Sequence, residues 1–446
     1  MLKILYVFLL CASLQSNATE DKYNSFISIN PNDSSPDQTS IAIKDNIDVK
    51  GMPTTAGSLA LKKNFPIADA FIIKKLKLAN FHIYGKTNLS EWANFRSFES
   101  VSGWSSAGGQ TLNPYGINTN PCGSSSGSAV AVASGMVSVA IGTETNGSIS
   151  CPASVNGIVG MKPSVGLVSR TGIVPISSSQ DTAGPMANSV LNVARALQAM
   201  AGKDPADVAT HQIPENYDFN FLEGLQLSTL KDKRFGLLES GSNDAEGLRL
   251  INKIKHIITE NGGKIVLIKD KRVYPSEKEF FILLYEFKRD LEAYLKQAVT
   301  EHKTLNAIIN FNRNNARLVM PHFKQEIFIE SSRVSDNTEA YVESIKVIET
   351  VQNEMDELLQ AYDLDAFVGL TRNPAWKIDY NGGDNAAMAG QRSWGNGGFA
   401  AIAGYPHITL PLGSVDGLPV GVSFIASKWK EKQLLEFAAA FERANQ

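Results

Sequence analysis

Cysteine and histidine are scarce, three and six in 446 residues. None of them stands in a cluster with metal-ligand spacing, which argues against a zinc site. An excess of charge of one sign is missing as well. Lys and Arg number 42 against 45 Asp and Glu, a net charge of −3, so nothing suggests a nucleic-acid partner. There is no internal repeat and no low-complexity tract. The apolar run from Ile4 to Leu14 is too short to span a bilayer as a stable helix. What is present is globular composition. The chain is 43% hydrophobic and 20% charged, with apolar material for a large core.

The N-terminus is more specific. Lys3, the run Ile4–Leu14 and then Ser16-Asn17-Ala18 have the pattern of a secretory signal peptide, residues 1–18, cut after Ala18. The alternative is a buried N-terminal helix or strand. Leu10 before Cys11 disfavours a lipoprotein signal. The reading implies a periplasmic or secreted protein with no stable membrane anchor after cleavage. Cys122 and Cys151 then remain, and they are expected as two buried thiols acting as small hydrophobes. A disulfide is the alternative, which needs a Cα spacing that sequence does not supply.

Periodicity places the elements. "IAIKDNID", "DAFIIKKLKLANF" and "FHIYGKT" read as strand, helix, strand. Residues 86–128 are loop-rich. "GSAVAVASGMVSVAIG" reads as a tightly packed helix ending near Gly135, followed by a short strand. Residues 187–202 read as helix, and 203–233 as a polar surface connection. "RFGLLE", "AEGLRLINKIKHIITENGG" and "KIVLIKD" give a second strand, helix, strand. "DAFVGLT" and "HITLPLG" are late buried strands, and 429–445 is a closing amphipathic helix. The expectation is one α/β domain, 19–446, with a helical insertion at 276–362.

Chemistry centres on "GTETNGSISCPAS", Gly142–Ser154. Small residues crowd around Ser148, and a serine hydroxyl attacks only when a base takes its proton. All six histidines are remote in sequence, which leaves His407 open as a base because folds bring distant residues together. Lys44, flanked by strand-like apolar residues in "IAIKDNID", is a second candidate. A lysine acts as a base when desolvation holds it neutral.

Four segments occur in order: "AIKDN", "GKTNLSEWA", "PCGSSSGSAVAVA" and "TETNGSISCPAS". Together they resemble the amidase signature family, closest to its peptide-amidase-like branch. "NGIVGMKPSVGLVSRTGIVPISSSQDTAGPM" and "AIAGYPHITLPLG" continue the resemblance. It implies a large mixed β-sheet covered by helices on both faces. It implies hydrolysis of a carboxamide, a small molecule or a peptide C-terminal amide, to carboxylate and ammonia, with no cofactor or metal. It also implies a triad of Lys44 as base, Ser124 as bridging serine behind a cis Gly123–Ser124 bond, and Ser148 as nucleophile. The oxyanion donors would be the backbone N–H groups of Thr145, Asn146, Gly147 and Ser148. Ser125, Thr143 and Asp181 would support the site, and Trp104, Trp394 and Tyr405 are candidate pocket walls.

The chain departs from the pattern at Asn146, where the family often has Gly, and at Cys122, where Gly is common. Ser150 stands where the tRNA-linked amidotransferase branch has Arg, which disfavours that branch. Two rival readings stay open. Gly123-Ser124-Ser125-Ser126-Gly127 matches the nucleophile elbow of an α/β-hydrolase esterase with Ser125 attacking, yet "GINTNPC" before it is no apolar strand. The other rival is a non-catalytic exported binding protein on an amidase scaffold.

Overall fold

The computed structural model describes residues 20–30, 37–268, 270–334, 336–392 and 394–446. The stretch read as a signal peptide, 1–18, lies outside the described residues. The strands in chain order are β1 (Phe26–Ile29), β2 (Thr39–Lys44), β3 (Phe81–Thr87), β4 (Trp104–Ser105), β5 (Gly109–Gln110), β6 (Val139–Glu144) and β7 (Val159–Lys162). They continue with β8 (Thr182–Ala187), β9 (Arg234–Leu238), β10 (Lys264–Leu267), β11 (Ala366–Leu370), β12 (His407–Val415) and β13 (Leu418–Ile425).

Eleven of these strands form one mixed sheet in the order β1-β3-β2-β6-β8-β7-β12-β13-β11-β9-β10. Parallel pairing joins β3, β2 and β6 in one half and β11, β9 and β10 in the other. Antiparallel strands fill the centre. Alternation along each strand sends residues to opposite faces. Ile41, Ile43, Val139 and Ile141 enter the large core with Val193 and Leu197 of the helix Val190–Met200. Ala42 and Ala140 face the other way, against Ala129 and Ala131 of the helix Ser126–Ala133. Small side chains at these positions let that helix lie close on the sheet. Its hydroxyls are buried and bonded. Ser126 Oγ donates to the Cys122 carbonyl at 2.6 Å, and Ser128 Oγ to that of Ile141 at 3.0 Å.

Helices fill the span from Ser276 to Ala361, beginning with Ser276–Gln297 and ending with Lys346–Ala361. Phe287, Leu291, Leu295, Ile308 and Phe328 from this region pack on Trp92, Phe95 and Ile176. Each fully buried Leu or Phe contributes roughly 1.5–3 kcal/mol, which seats the helices against the loop segment at 92–95.

One expectation fails here. Residues 203–233 are not simply a surface connection. Ile213, Phe221, Leu225 and Leu230 enter the main core, so the isolated apolar residues of a polar stretch are its anchors. The Gly- and Pro-punctuated stretch after Asn156 contains β7 and β8, both buried along their lengths. Pro185 is tolerated inside β8 because β7 pairs only as far as Met186 and Ala187, leaving no partner strand on that side to miss its N–H.

Candidate active site

Lys44 ends β2 with its side chain wholly buried. Its Nζ reaches Ser124 Oγ at 2.7 Å, Thr143 Oγ1 at 2.8 Å and the Thr143 carbonyl at 3.2 Å. All three partners are neutral. The neighbouring buried Lys86 differs, since it pairs with Asp45 at 3.1 Å. Burial without a paired acid pulls the Lys44 ammonium from 10.5 down to about 7, against the more distant charges of Asp181 and Glu144. Asn46 Nδ2 also donates to Thr143 Oγ1, at 3.0 Å, which fixes that hydroxyl from a second side.

Ser124 follows a cis peptide bond from Gly123 and is fully buried. Gly123 is required there, because a Cβ would run into Ser90 Oγ. Ser125 is drawn away from solvent. Its Oγ donates to the Thr143 carbonyl at 3.1 Å and accepts from the Thr143 N–H at 3.2 Å. Its N–H donates to the Ser148 carbonyl at 3.1 Å, which ties the two serine segments together.

The Ser148 loop is held at both ends. Glu144 Oε2 accepts from the N–H groups of Ile149 and Ser150, at 2.7 and 2.9 Å, so a buried carboxylate anchors the turn after the nucleophile candidate. Thr145 Oγ1 donates to Asp181 Oδ1 at 2.6 Å, and Asp181 Oδ2 accepts from the N–H groups of Ile176 and Ser177. Burial pushes the Asp181 carboxyl up to about 6 in spite of these donors. Asn146 Nδ2 donates to Tyr274 Oη and Glu279 Oε1, the latter from the helix Ser276–Gln297. Gly147 adopts φ +85°, a left-handed conformation that favours glycine, with open space above its Cα. Among the described residues, no hydrogen bond is donated by the backbone N–H groups of Thr145, Asn146, Gly147 or Ser148. Nor does one join the Ser124 and Ser148 hydroxyls, a link that in unliganded sites commonly tightens only around substrate.

Ser148 opens into a cavity of about 400 Å³. Phe95, Phe98, Leu283 and Ile327 line it from the loop and helical region, and Arg372 and Trp376 from the segment after β11. A second cavity, of about 340 Å³, lies beyond Ala93, Thr145 and Ile176, which line both.

The remaining sequence candidates fall elsewhere. Cys122 and Cys151 form a disulfide with Cα atoms 6.1 Å apart, which corrects the expectation of separate thiols. Packing of the Ser126–Ala133 helix beside the Ser148 loop brings them within bridging range, and a separation of 29 residues carries no sign of that. His407 Nε2 bonds Ser423 Oγ at 2.7 Å, and burial lowers its imidazole to about 4. It does not contact Ser148. Trp104 packs on Phe323 and His322, Trp394 sits in the main core, and Tyr405 Oη donates to Asp356. None of the three lines the Ser148 cavity. Glu144, Glu279, Arg372 and Trp376 were not singled out from sequence. For Glu144 the signal was present, since it is the one acid in the segment Gly142–Ser154.

Residues 39–435 match the family model described as Amidase. The chain belongs to the amidase family. Among curated amidase relatives, a probable amidase of Arabidopsis thaliana is 37% identical over 424 residues, covering 91% of this chain and 76% of the relative. A putative amidase of Schizosaccharomyces pombe is 34% identical, covering 90% of this chain and 72% of the relative. Among solved structures, native peptide amidase from Stenotrophomonas maltophilia superposes with a TM-score of 0.89 at 40% identity, covering 96% of this chain and 90% of that one. The central mixed sheet flanked by helices is the fold these amidases share.

Proposed function

We propose that this amidase hydrolyses linear carboxamides, with peptide C-terminal amides as the substrate class, through Lys44, Ser124 and Ser148. One observation carries the reading: a wholly buried lysine, lowered to about 7, bonds a buried serine at 2.7 Å beside a cavity that holds a second serine. Similarity to peptide amidase at 40% identity supports this substrate class over that of the glutamyl-tRNA amidotransferase of Prochlorococcus marinus, whose matching chain is 34% identical. The tethered Ser125 hydroxyl disfavours the esterase alternative. The signal-peptide pattern and the disulfide support action outside the cytoplasm.

In this reading neutral Lys44 accepts a proton from Ser124 as Ser124 accepts one from Ser148. Ser148 Oγ bonds to the amide carbon, and the carbonyl oxygen becomes an oxyanion held by the free N–H groups of the 145–148 loop. The C–N bond then breaks. The leaving nitrogen takes a proton from Ser124, which Lys44 replenishes, and an ester on Ser148 remains. Water, deprotonated by the same relay, attacks that ester and releases the carboxylate.

A fluorophosphonate probe followed by peptide mass mapping tests the nucleophile, with ammonia release from N-acetylated peptide amides as the companion assay. An adduct on Ser148 and release of ammonia are expected. An adduct on Ser125, or ammonia release without any Ser148 adduct, would reject the relay.

The rate should also follow the charge of Lys44. As ammonium it cannot accept a proton, so kcat/KM falls as pH drops through about 7 and rises to a plateau above. Asp181, pushed up to about 6, is mostly ionised near pH 7, and its charge raises the Lys44 pKa. Asp181→Asn therefore moves the rising limb to lower pH. A profile highest in acid, or a limb that moves upward in the variant, would count against a neutral-lysine base.

A further inference from the structure

The Ser148 cavity is lined by apolar and neutral polar side chains, and its charged residues, Arg372 and Asp384, stand on the wall with Trp376. Arg372 is the one cation among the described residues that line it. Its Nη2 donates to Met388 Sδ at 2.8 Å, its Nε is buried without a partner, and its guanidinium lies over the Trp376 ring at 5.0 Å. A thioether is a weak acceptor, and a ring face replaces only part of the lost hydration. Among the described residues no salt bridge joins it to a carboxylate, and the acid whose charge acts on it is Asp384. Asp384, on the same wall, is already occupied by three other donors. Its Oδ1 accepts from Asn120 Nδ2 at 2.8 Å and Trp376 Nε1 at 3.2 Å, and its Oδ2 from the Ser102 N–H at 3.1 Å.

A guanidinium presents a planar fork of donors that matches a carboxylate, and leaving it unpaired in a half-buried wall is costly. The cavity that holds Ser148 thus offers a substrate one cationic side chain, with neutral apolar and polar groups on the other walls. We propose that Arg372 determines specificity by receiving a carboxylate on the acyl part of the substrate, so that acidic peptide amides are preferred. This rests on the hydrolase reading above. The Trp376 ring holds the guanidinium at the wall, and the bonds to Asp384 keep that acid from closing on Arg372.

The test compares kcat/KM for two pairs of amides, N-acetyl-Glu amide with N-acetyl-Met amide, and N-acetyl-Glu-Leu amide with N-acetyl-Met-Leu amide. Met is neutral and of similar length. In at least one pair the wild-type enzyme favours Glu by about tenfold or more, the size of a charge-assisted pair. Arg372→Gln brings that ratio below about threefold, and Arg372→Lys, which keeps the charge and loses the fork, falls between. A wild-type ratio below about threefold in both pairs overturns the proposal, and so does a preference that survives Arg372→Gln. Should the Gln variant not fold, the wild-type ratios and Arg372→Lys still decide. Fluorophosphonate labelling separates the two levels. A labelled Ser148 with no acidic preference removes only the specificity assignment, whereas an unlabelled Ser148 removes the hydrolase reading and this one with it.

Discussion

Ser148→Ala lowers kcat/KM for a peptide amide by roughly 10⁴- to 10⁶-fold, and Lys44→Met does nearly as much. The size follows from the relay. Without Ser148 there is no atom to form the acyl intermediate. Without Lys44 the Ser124 hydroxyl loses the amine bonded to it at 2.7 Å, and the proton from Ser148 has nowhere to go. Residues that act as one unit are not additive, so the double variant should be no slower than Ser148→Ala by more than a few-fold. Met is chosen over Ala for Lys44 because it fills the buried channel of the lysine stem and avoids a cavity. Thermal unfolding midpoints near that of the wild type show that both variants are folded. Lys44→Met with activity within tenfold of wild type would eliminate the lysine as base.

Arg96→Met should destabilise the protein by about 3–5 kcal/mol, the loss typical when one member of a buried ion pair is removed. Arg96 and Glu91 are both fully buried, with Nη1 and Oε2 2.5 Å apart. Nη1 also donates to the Val319 carbonyl and Nη2 to that of Phe323, and the guanidinium covers the Phe323 ring at 4.2 Å. One side chain thus joins the turn at Glu91–Asn94, which forms part of the cavity wall, to the helical region at 319–323. Removal strands the Glu91 carboxylate, whose pKa burial already raises. Glu91→Gln in the Arg96→Met background should recover part of the loss, because it deletes the stranded charge. Urea denaturation of the two variants beside the wild type measures this. A loss below about 1 kcal/mol for Arg96→Met would show that the pair is replaceable.

How legible the site was in the sequence depends on the range of the forces that build each part. Strand and helix signals around β2, β3, β9 and the helix Ala245–Glu260 are periodic over neighbouring residues, so they appear in the order of residues alone. The two serine segments likewise carry their own reason for small residues. Gly123 has no room for a Cβ, and Gly147 needs a left-handed backbone. β7 and β8 were hidden because glycine and proline mark turns when read locally, whereas here neighbouring strands override them.

By itself the sequence determined an α/β chain of the amidase type and marked Lys44, Ser124 and Ser148 as its chemical candidates. Those features reside in local spacing and in side chains of distinctive chemistry. Only the tertiary structure decided that Lys44 bonds Ser124, that Cys122 meets Cys151, and that Phe95, Leu283, Ile327 and Arg372 share one cavity. The physical reason is that such contacts join segments far apart in the chain. Packing of the whole sheet with its helices sets those distances, and no local pattern encodes them.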